Sequence, residues 1–202
     1  MPSRPPSPLD LDAPATVHVL DDDADLGAAI ARMLGRQGIV ARAFDDPLAL
    51  LDAYPDWPAH AVVSDVMMGD LDGFGFADRL RAIDRHVAIL FMTAWPTTAH
   101  AVDSVRRHGG LDYLEKPIDE DRLCASLVEG IAWSRDRRAA ARRLSDLTPR
   151  ERQVFELLVQ GHGNKAMAGL LGLSPKTIED HRAAVFAKTQ TQGVAQLIAL
   201  SR

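Results

Sequence analysis

Between residues 16 and about 132, short apolar runs alternate with longer amphipathic stretches. Val17-His18-Val19-Leu20, Ala61-Val62-Val63-Ser64, Val87-Ala88-Ile89-Leu90-Phe91-Met92 and Leu111-Asp112-Tyr113-Leu114 are apolar or β-branched at nearly successive positions. Runs of this kind suit strands buried on both faces of a parallel sheet. The pattern predicts strands at about 16–20, 39–44, 61–64, 87–92 and 111–114, and helices at about 24–37, 47–54, 73–83, 97–108 and 119–133. Strict alternation of five strands with five helices argues for an α/β fold, a doubly wound five-stranded parallel sheet with right-handed crossovers. Gly38, Pro58, the 69–73 segment and Gly109-Gly110 punctuate the connections.

Beyond Leu144 the periodicity becomes purely helical. Thr148-Pro149-Arg150-Glu151 reads as a helix start, with Thr148 as N-cap, Pro149 in the first turn and Glu151 closing a capping box; Gly161 stops that helix. A short helix over 166–171 ends at Gly172. Ser174-Pro175-Lys176-Thr177 repeats the cap-and-proline signature and opens a third helix to about 188, and a fourth covers about 194–200. The stretch 134–143, rich in Ala and Arg and free of Gly and Pro, is expected to continue the fifth helix rather than form a loose tether. The expected organisation is a leader at 1–15, an α/β domain at 16–133, a basic helical linker at 134–145 and an all-α four-helix domain at 146–202.

At 202 residues, 47% hydrophobic and 25% charged, the chain is long enough for two cores. The Pro-rich leader lacks the basic and apolar regions of a signal peptide, and no run approaches the roughly 18 apolar residues of a membrane span. A cytoplasmic protein without membrane attachment is expected. The single cysteine, Cys124, excludes an intrachain disulfide and reads as a buried inert thiol or a redox switch. The net charge of −5 is unevenly placed: residues 1–132 carry 11 Lys and Arg against 22 Asp and Glu, whereas 133–144 carry 5 against 1 and 145–202 carry 7 against 5. Polyanion contact is therefore expected only in the second part.

The chemistry lies where the apolar runs end. Asp21-Asp22, Asp65, Thr93 and Lys116-Pro117 each follow one, and in an open parallel sheet functional groups gather at the carboxyl ends of the strands. Converging carboxylates repel unless a cation sits among them, and an all-oxygen pocket with room for water suits Mg²⁺. An aspartate that attacks a phosphoryl donor needs its charge neutralised and its geometry fixed; Mg²⁺, the Lys116 ammonium and the Thr93 hydroxyl supply both. The spacings, 43 residues from Asp22 to Asp65, 28 to Thr93 and 23 to Lys116, suit two βα units and then one each.

With these motifs, 16–133 resembles a bacterial response regulator receiver domain, which implies a flavodoxin-like fold. The resemblance makes Asp65 the phosphoacceptor, Asp21 and Asp22 the acidic pair with Asp22 the more direct metal ligand, and the main-chain carbonyl of Met67 a further Mg²⁺ ligand. It makes Thr93 the switch hydroxyl, Tyr113 the aromatic that follows it, and Lys116-Pro117 a cis peptide. Two departures stand out. Met68-Gly69 replaces the family's Met-Pro and is expected to loosen that loop. Trp95, after the small Ala94, is placed to shield a phosphoryl group from water or from a phosphatase.

The tail, in Leu147-Thr148-Pro149-Arg150-Glu151-Arg152-Gln153-Val154, Gly161, Asn164-Lys165, Leu173 to Glu179 and His181-Arg182, resembles a LuxR/FixJ/NarL-type helix-turn-helix output domain. That resemblance makes Lys165, Lys176, Thr177, Arg182 and Lys188 phosphate or groove contacts and puts Glu179, Asp180 and Ala183 where sequence is read. His181 is expected to pack, with base contact as the alternative. Ile178, Val185 and Thr189 should face inward. Thr189-Gln190-Thr191-Gln192 departs from the family's apolar and basic continuation; a buried Thr189 hydroxyl is expected to cost about 1–3 kcal/mol in lost packing and polar burial. DNA binding weaker than usual and more dependent on dimerisation follows.

Together these resemblances imply a transcriptional response regulator, phosphorylated on Asp65 by a sensor histidine kinase with Mg²⁺. Phosphorylation would drive homodimerisation through the fourth predicted helix and fifth strand (Ala101, Val102, Val105, Leu111) and binding to double-stranded promoter DNA, with RNA polymerase a further partner. The last helix offers Val194, Leu197 and Ile198 either to a second self-contact or to its own domain. The rivals are phosphorylation-independent DNA binding and an aspartate-nucleophile phosphohydrolase, which lacks a general acid or base at Met67.

Overall fold

The computed structural model describes residues 14–97 and 107–201. The chain divides into two compact units that adjoin in sequence at Asp136 and Arg137. In the first, β1 (Thr16–Leu20), β2 (Val40–Phe44), β3 (Ala61–Asp65), β4 (Ala88–Thr93) and β5 (Asp112–Glu115) form one parallel sheet in the order β2-β1-β3-β4-β5. The helices are α1 (Ala24–Arg36), α2 (Pro47–Ala53), α3 (Gly73–Ile83) and α4 (Glu120–Ser145). The expected helix over 97–108 falls almost wholly outside the described residues, as do 1–13 of the leader and Ala101, Val102 and Val105.

The continuous apolar runs are the central strands: every residue of β1, β3 and β4 is buried. One face packs on α1 and α4 through Val17, Val63, Leu90, Leu123 and Leu127; the other packs on α2 and α3 through Leu20, Leu50, Phe76, Leu80 and Phe91. The edge strand β2, though apolar except for Arg42, is half-buried or exposed throughout. Side-chain caps set the helix starts: Asp23 accepts from Asp25 and Leu26 N–H, Asp46 from Leu48 N–H, and Asp72 from Gly75 N–H. β5 begins one residue later than its apolar run suggests. Leu111 is 41% exposed; Asp112, paired with Leu90 of β4, starts the strand, and its carboxylate accepts from Ser126 Oγ at 2.5 Å and from Arg122 at 3.4 Å.

His18, at the centre of β1, is fully buried. Its Nε2–H donates to the Trp57 carbonyl at 2.7 Å, its ring meets Phe44 and Tyr54 edge-on, and its Nδ1 has no partner among the described residues. Burial, with the nearby Arg42 charge, lowers its pKa below the ordinary histidine value despite that hydrogen bond. The unfolded chain therefore takes up this proton first, so His18 costs nothing above about pH 6.5 and destabilises increasingly below it. Urea midpoints of wild type should fall more between about pH 7 and pH 5 than those of His18→Phe; parallel falls would remove His18 as the cause.

In the second unit, α5 (Pro149–Val159), α6 (Asn164–Leu171), α7 (Pro175–Thr189) and α8 (Val194–Ser201) surround Val154, Leu158, Met167, Ile178, Val185 and Leu197. Thr148 and Glu151 make the full capping box, and Ser174 caps α7. α6 starts at Asn164, two residues before its expected position, with Gly163 capping it without a side chain. The 134–145 stretch is helical throughout, as part of α4. Among the described residues no helix is long and apolar enough to cross a membrane.

Thr189 is buried with Ile178 and Val185, and its hydroxyl donates to the Val185 carbonyl one turn back at 2.6 Å. The polar-burial part of the cost expected from sequence is therefore met by a hydrogen bond, leaving only the lost packing. Gln190 closes α7 in the left-handed region, φ 55°, a conformation glycine takes without penalty.

Candidate functional site

Three strand ends and one loop converge at the carboxyl edge of the sheet. β1 delivers Asp21, fully buried, and the exposed Asp22; β3 ends in Asp65, 5% exposed; β4 ends in the buried Thr93. Oxygens of Asp21, Asp22 and Asp65 lie within 4.8 Å of one another. Lys116, just past β5, reaches into the group: its Nζ is 2.6 Å from Asp65 Oδ2 and 2.7 Å from Asp21 Oδ2. The remaining oxygens are also engaged, Asp21 Oδ1 by Asp23 N–H and Asp65 Oδ1 by Met67 N–H. Lys116 N–H donates to the Thr93 carbonyl, which ties the β5 loop to β4, and the Lys116–Pro117 peptide is cis.

The electrostatics follow from burial and charge. Burial raises the Asp21 pKa above the ordinary carboxylate value, and the Asp65 charge adds to this, while Lys116 and the Asp23 N–H pull it back. Burial alone would lower the Lys116 pKa, but the hydrogen bonds and charges of Asp21 and Asp65 outweigh it and raise it. Three carboxylates and one ammonium leave the pocket net negative. The donor set is entirely oxygen and opens to solvent at Asp22, where a cleft of about 340 Å³ is lined by Asp45, Asp46, Met68, Gly69 and Asp70 among others. Such a set suits a hard divalent cation, and Asp21, Asp22 and Asp65 could hold one.

The surroundings refine several expectations. Thr93 Oγ1 accepts from Trp95 N–H at 3.1 Å, and the Trp95 side chain is 61% exposed. Tyr113 is half-buried against the Phe91 side of the core, and its hydroxyl, buried, has no partner among the described residues. Met68 is buried. Gly69 has nothing within 4 Å of a would-be Cβ and no positive φ, so this loop does not use its glycine's freedom. Gly73, which sequence reasoning passed over, is the glycine that matters: a Cβ there would lie 2.1 Å from the Asp65 carbonyl oxygen. Its only sequence signal is a glycine at a helix start eight residues after Asp65. Cys124 is half-buried rather than buried; its partial burial, then Asp121 and Glu120, push the thiol pKa up, which favours the inert thiol over the redox switch.

The second unit presents a different surface. α6, the Gly172-Leu173-Ser174 turn and α7 form a helix-turn-helix, with Gly172 left-handed at the end of α6. Lys165, Lys176, Glu179, Asp180 and Ala183 are exposed. Thr177 is half-buried, its N–H and hydroxyl engaged by Ser174 Oγ. Two cations turn inward: Arg182 donates to Asn164 Oδ1, and Lys188 Nζ sits 2.7 Å from Glu151 Oε2 and 3.3 Å from the Asp146 carbonyl. Glu151, held by Lys188 and by Thr148 N–H, has its pKa pulled below the ordinary value. Lys188 thereby fastens the end of α7 to the capping box of α5.

Both units match known families. The response regulator receiver domain family matches residues 17–128, and the family described as bacterial regulatory proteins of the luxR family matches 145–201. The transcriptional regulatory protein FixJ of Bradyrhizobium diazoefficiens is 36% identical over 192 residues, which span 92% of this chain and 93% of that protein. The tetrathionate response regulatory protein TtrR of Salmonella typhimurium is 33% identical, spanning 91% and 90%. The crystal structure of full-length FixJ from B. japonicum aligns with TM-score 0.55 at 36% identity, over 93% of this chain and 95% of that one.

Proposed function

The chain belongs to the response regulators that join a receiver domain to a LuxR-type DNA-binding domain, and from that premise we propose that Asp65 is the residue through which it is switched. It is a transcriptional response regulator of the two-component kind, not an enzyme with a substrate of its own. In our reading 16–133 is the input domain, 134–145 the helical connection and 146–202 the output. The observation that carries the assignment is Lys116 Nζ bridging Asp65 and Asp21 at 2.6 and 2.7 Å inside a three-carboxylate group.

An Asp65 carboxylate oxygen attacks the phosphorus of a phosphohistidine on a sensor kinase; the O–P bond forms as the P–N bond breaks. Asp21, Asp22, Asp65 and the Met67 main-chain carbonyl would hold Mg²⁺, which would supply charge neutralisation for the incoming phosphoryl group. Lys116 turns its ammonium to a phosphoryl oxygen, and Thr93 gives its hydroxyl to another. Thr93 moves for that bond, and Tyr113, whose buried hydroxyl has no partner to lose among the described residues, follows. The altered face carries Leu111, and homodimerisation there brings two α7 helices to paired half-sites on promoter DNA. The protein works in the cytoplasm, where its DNA is, with RNA polymerase as the downstream partner.

The test pairs wild type with Asp65→Asn, each with and without acetyl phosphate and Mg²⁺. Phosphoryl incorporation should occur in wild type and vanish in the variant. Duplexes selected by the phosphorylated protein should then shift most strongly in the phosphorylated wild-type lane. Equal affinity in all four lanes would mean that the output binds constitutively.

A further inference from the structure

Among the charged residues named on α7, the two cations of its second half are taken up internally, Arg182 by Asn164 and Lys188 by Glu151 and Asp146. Its first half presents one cation and two anions to solvent. The Lys176, Glu179 and Asp180 side chains are 77%, 56% and 67% exposed, and Lys176 Nζ lies 3.3 Å from Asp180 Oδ1 and 3.8 Å from Glu179 Oε2. Lys176, Asp180, Ala183 and Ala187 follow one another at helical spacing and are all exposed. The two alanines let the helix backbone approach a surface closely. Glu179 lies to one side, on the row that continues through half-buried Arg182 and Phe186.

A helix that lays this stripe in the major groove brings a net negative end into a polyanion. The carboxylate that enters can only accept hydrogen bonds, and unpaired there it loses its water for nothing. The groove offers two donors, cytosine N4 and adenine N6. Adenine N6 sits beside the N7 acceptor, which repels a carboxylate; cytosine has no acceptor on that edge. Guanine, opposite cytosine, shows only the acceptors O6 and N7, which suit an ammonium. Lys176 and Asp180, with tips 3.3 Å apart, carry the donor and the acceptor that a C·G pair complements.

Resting on the assignment of α7 as the DNA-facing helix, we infer that Lys176 and Asp180 act as one reading unit, Asp180 accepting from cytosine N4 and Lys176 donating to guanine O6 and N7. Asp180 gains specificity by excluding guanine and thymine at that position, and it weakens binding to unselected DNA.

The experiment selects duplexes from a random library with the phosphorylated full-length protein and with its Asp180→Ala and Asp180→Asn variants; far-UV circular dichroism and phosphoryl uptake check that each is folded. Wild type should enrich cytosine at one position of each half-site. Asp180→Ala should lose roughly tenfold or more of the discrimination there and nowhere else, while binding random DNA at least as tightly as wild type. Asp180→Asn should turn the preference towards adenine, whose N6 and N7 fit an amide. Identical selected sequences for all three proteins overturn the inference alone. If wild type enriches no sequence at all, the DNA-facing assignment of α7 falls with it.

Discussion

Lys116→Met should lower the melting temperature in EDTA by on the order of 10 °C, and Mg²⁺ should restore most of the loss. Lys116 is the cation that the pocket carries within itself. Its side chain is 15% exposed, and the carboxylates it bridges, Asp21 and Asp65, are 0% and 7% exposed. Removing one partner of so buried a pair leaves two carboxylates facing each other without water, a cost of about 3–5 kcal/mol. Methionine fills a similar volume, so little of the effect comes from packing. A divalent cation bound among Asp21, Asp22 and Asp65 replaces the lost charge, and because it no longer competes with the ammonium for two of its ligands it should bind the variant more tightly than wild type. Labelling of Asp65 by acetyl phosphate should nonetheless fall by about 10²-fold, since the ammonium no longer meets the developing phosphoryl charge. Mg²⁺ thus restores the stability of this variant without restoring its phosphoryl uptake. Differential scanning fluorimetry across a Mg²⁺ titration decides it: the same increment of melting temperature in wild type and variant would show that Lys116 and the metal do not share ligands.

The rim was legible because buried parallel strands show as unbroken apolar runs, and the polar residue that ends each run marks the edge where function gathers. Asp65, the last residue of β3, and Thr93, the last of β4, stand where that rule puts them. The caps at Thr148 and Ser174 were legible because capping is local, set by residues three apart. Some of what escaped was set by residues distant in sequence, and some by local geometry that composition does not show. Lys188 has the composition of a phosphate contact, and only the fold brings Glu151, 37 positions earlier, to 2.7 Å from it. The Thr189 hydroxyl reads as a buried cost until the Val185 carbonyl is seen to accept from it. Leu111 reads as the first residue of the fifth strand, but the strand starts at Asp112, which Ser126 and Arg122 on α4 hold. Gly69 attracted notice because it stands where a proline was expected, whereas Gly73 carries the steric demand.

The contrast between these two glycines supplies the sharpest steric test of the phosphoacceptor loop. Gly73 opens α3, and its N–H donates to the Val66 carbonyl at 3.0 Å while the preceding Asp72 caps the helix through Gly75. The helix start is thereby drawn onto the backbone just after Asp65. A methyl group at 73 would meet the Asp65 carbonyl oxygen at 2.1 Å and the Asp65 carbonyl carbon and Val66 Cα at 3.0 Å. All three are main-chain atoms, so no rotamer change relieves the clash; either α3 lifts or the Asp65 loop shifts. Gly73→Ala should therefore cost about 3 kcal/mol or more, at the upper end for overpacking. A displacement of Asp65 by about 1 Å should lower its labelling by about 10²-fold even where the protein still folds. Gly69→Ala meets nothing within 4 Å and no positive φ, so it should be neutral or stabilise by about 0.4–1 kcal/mol through the unfolded chain. Urea midpoints should fall for Gly73→Ala and hold or rise for Gly69→Ala, and only Gly73→Ala should lose acetyl phosphate labelling. Matching behaviour would mean that α3 is not seated on the phosphoacceptor loop, and that the position of Asp65 is held by Lys116 and β3 alone.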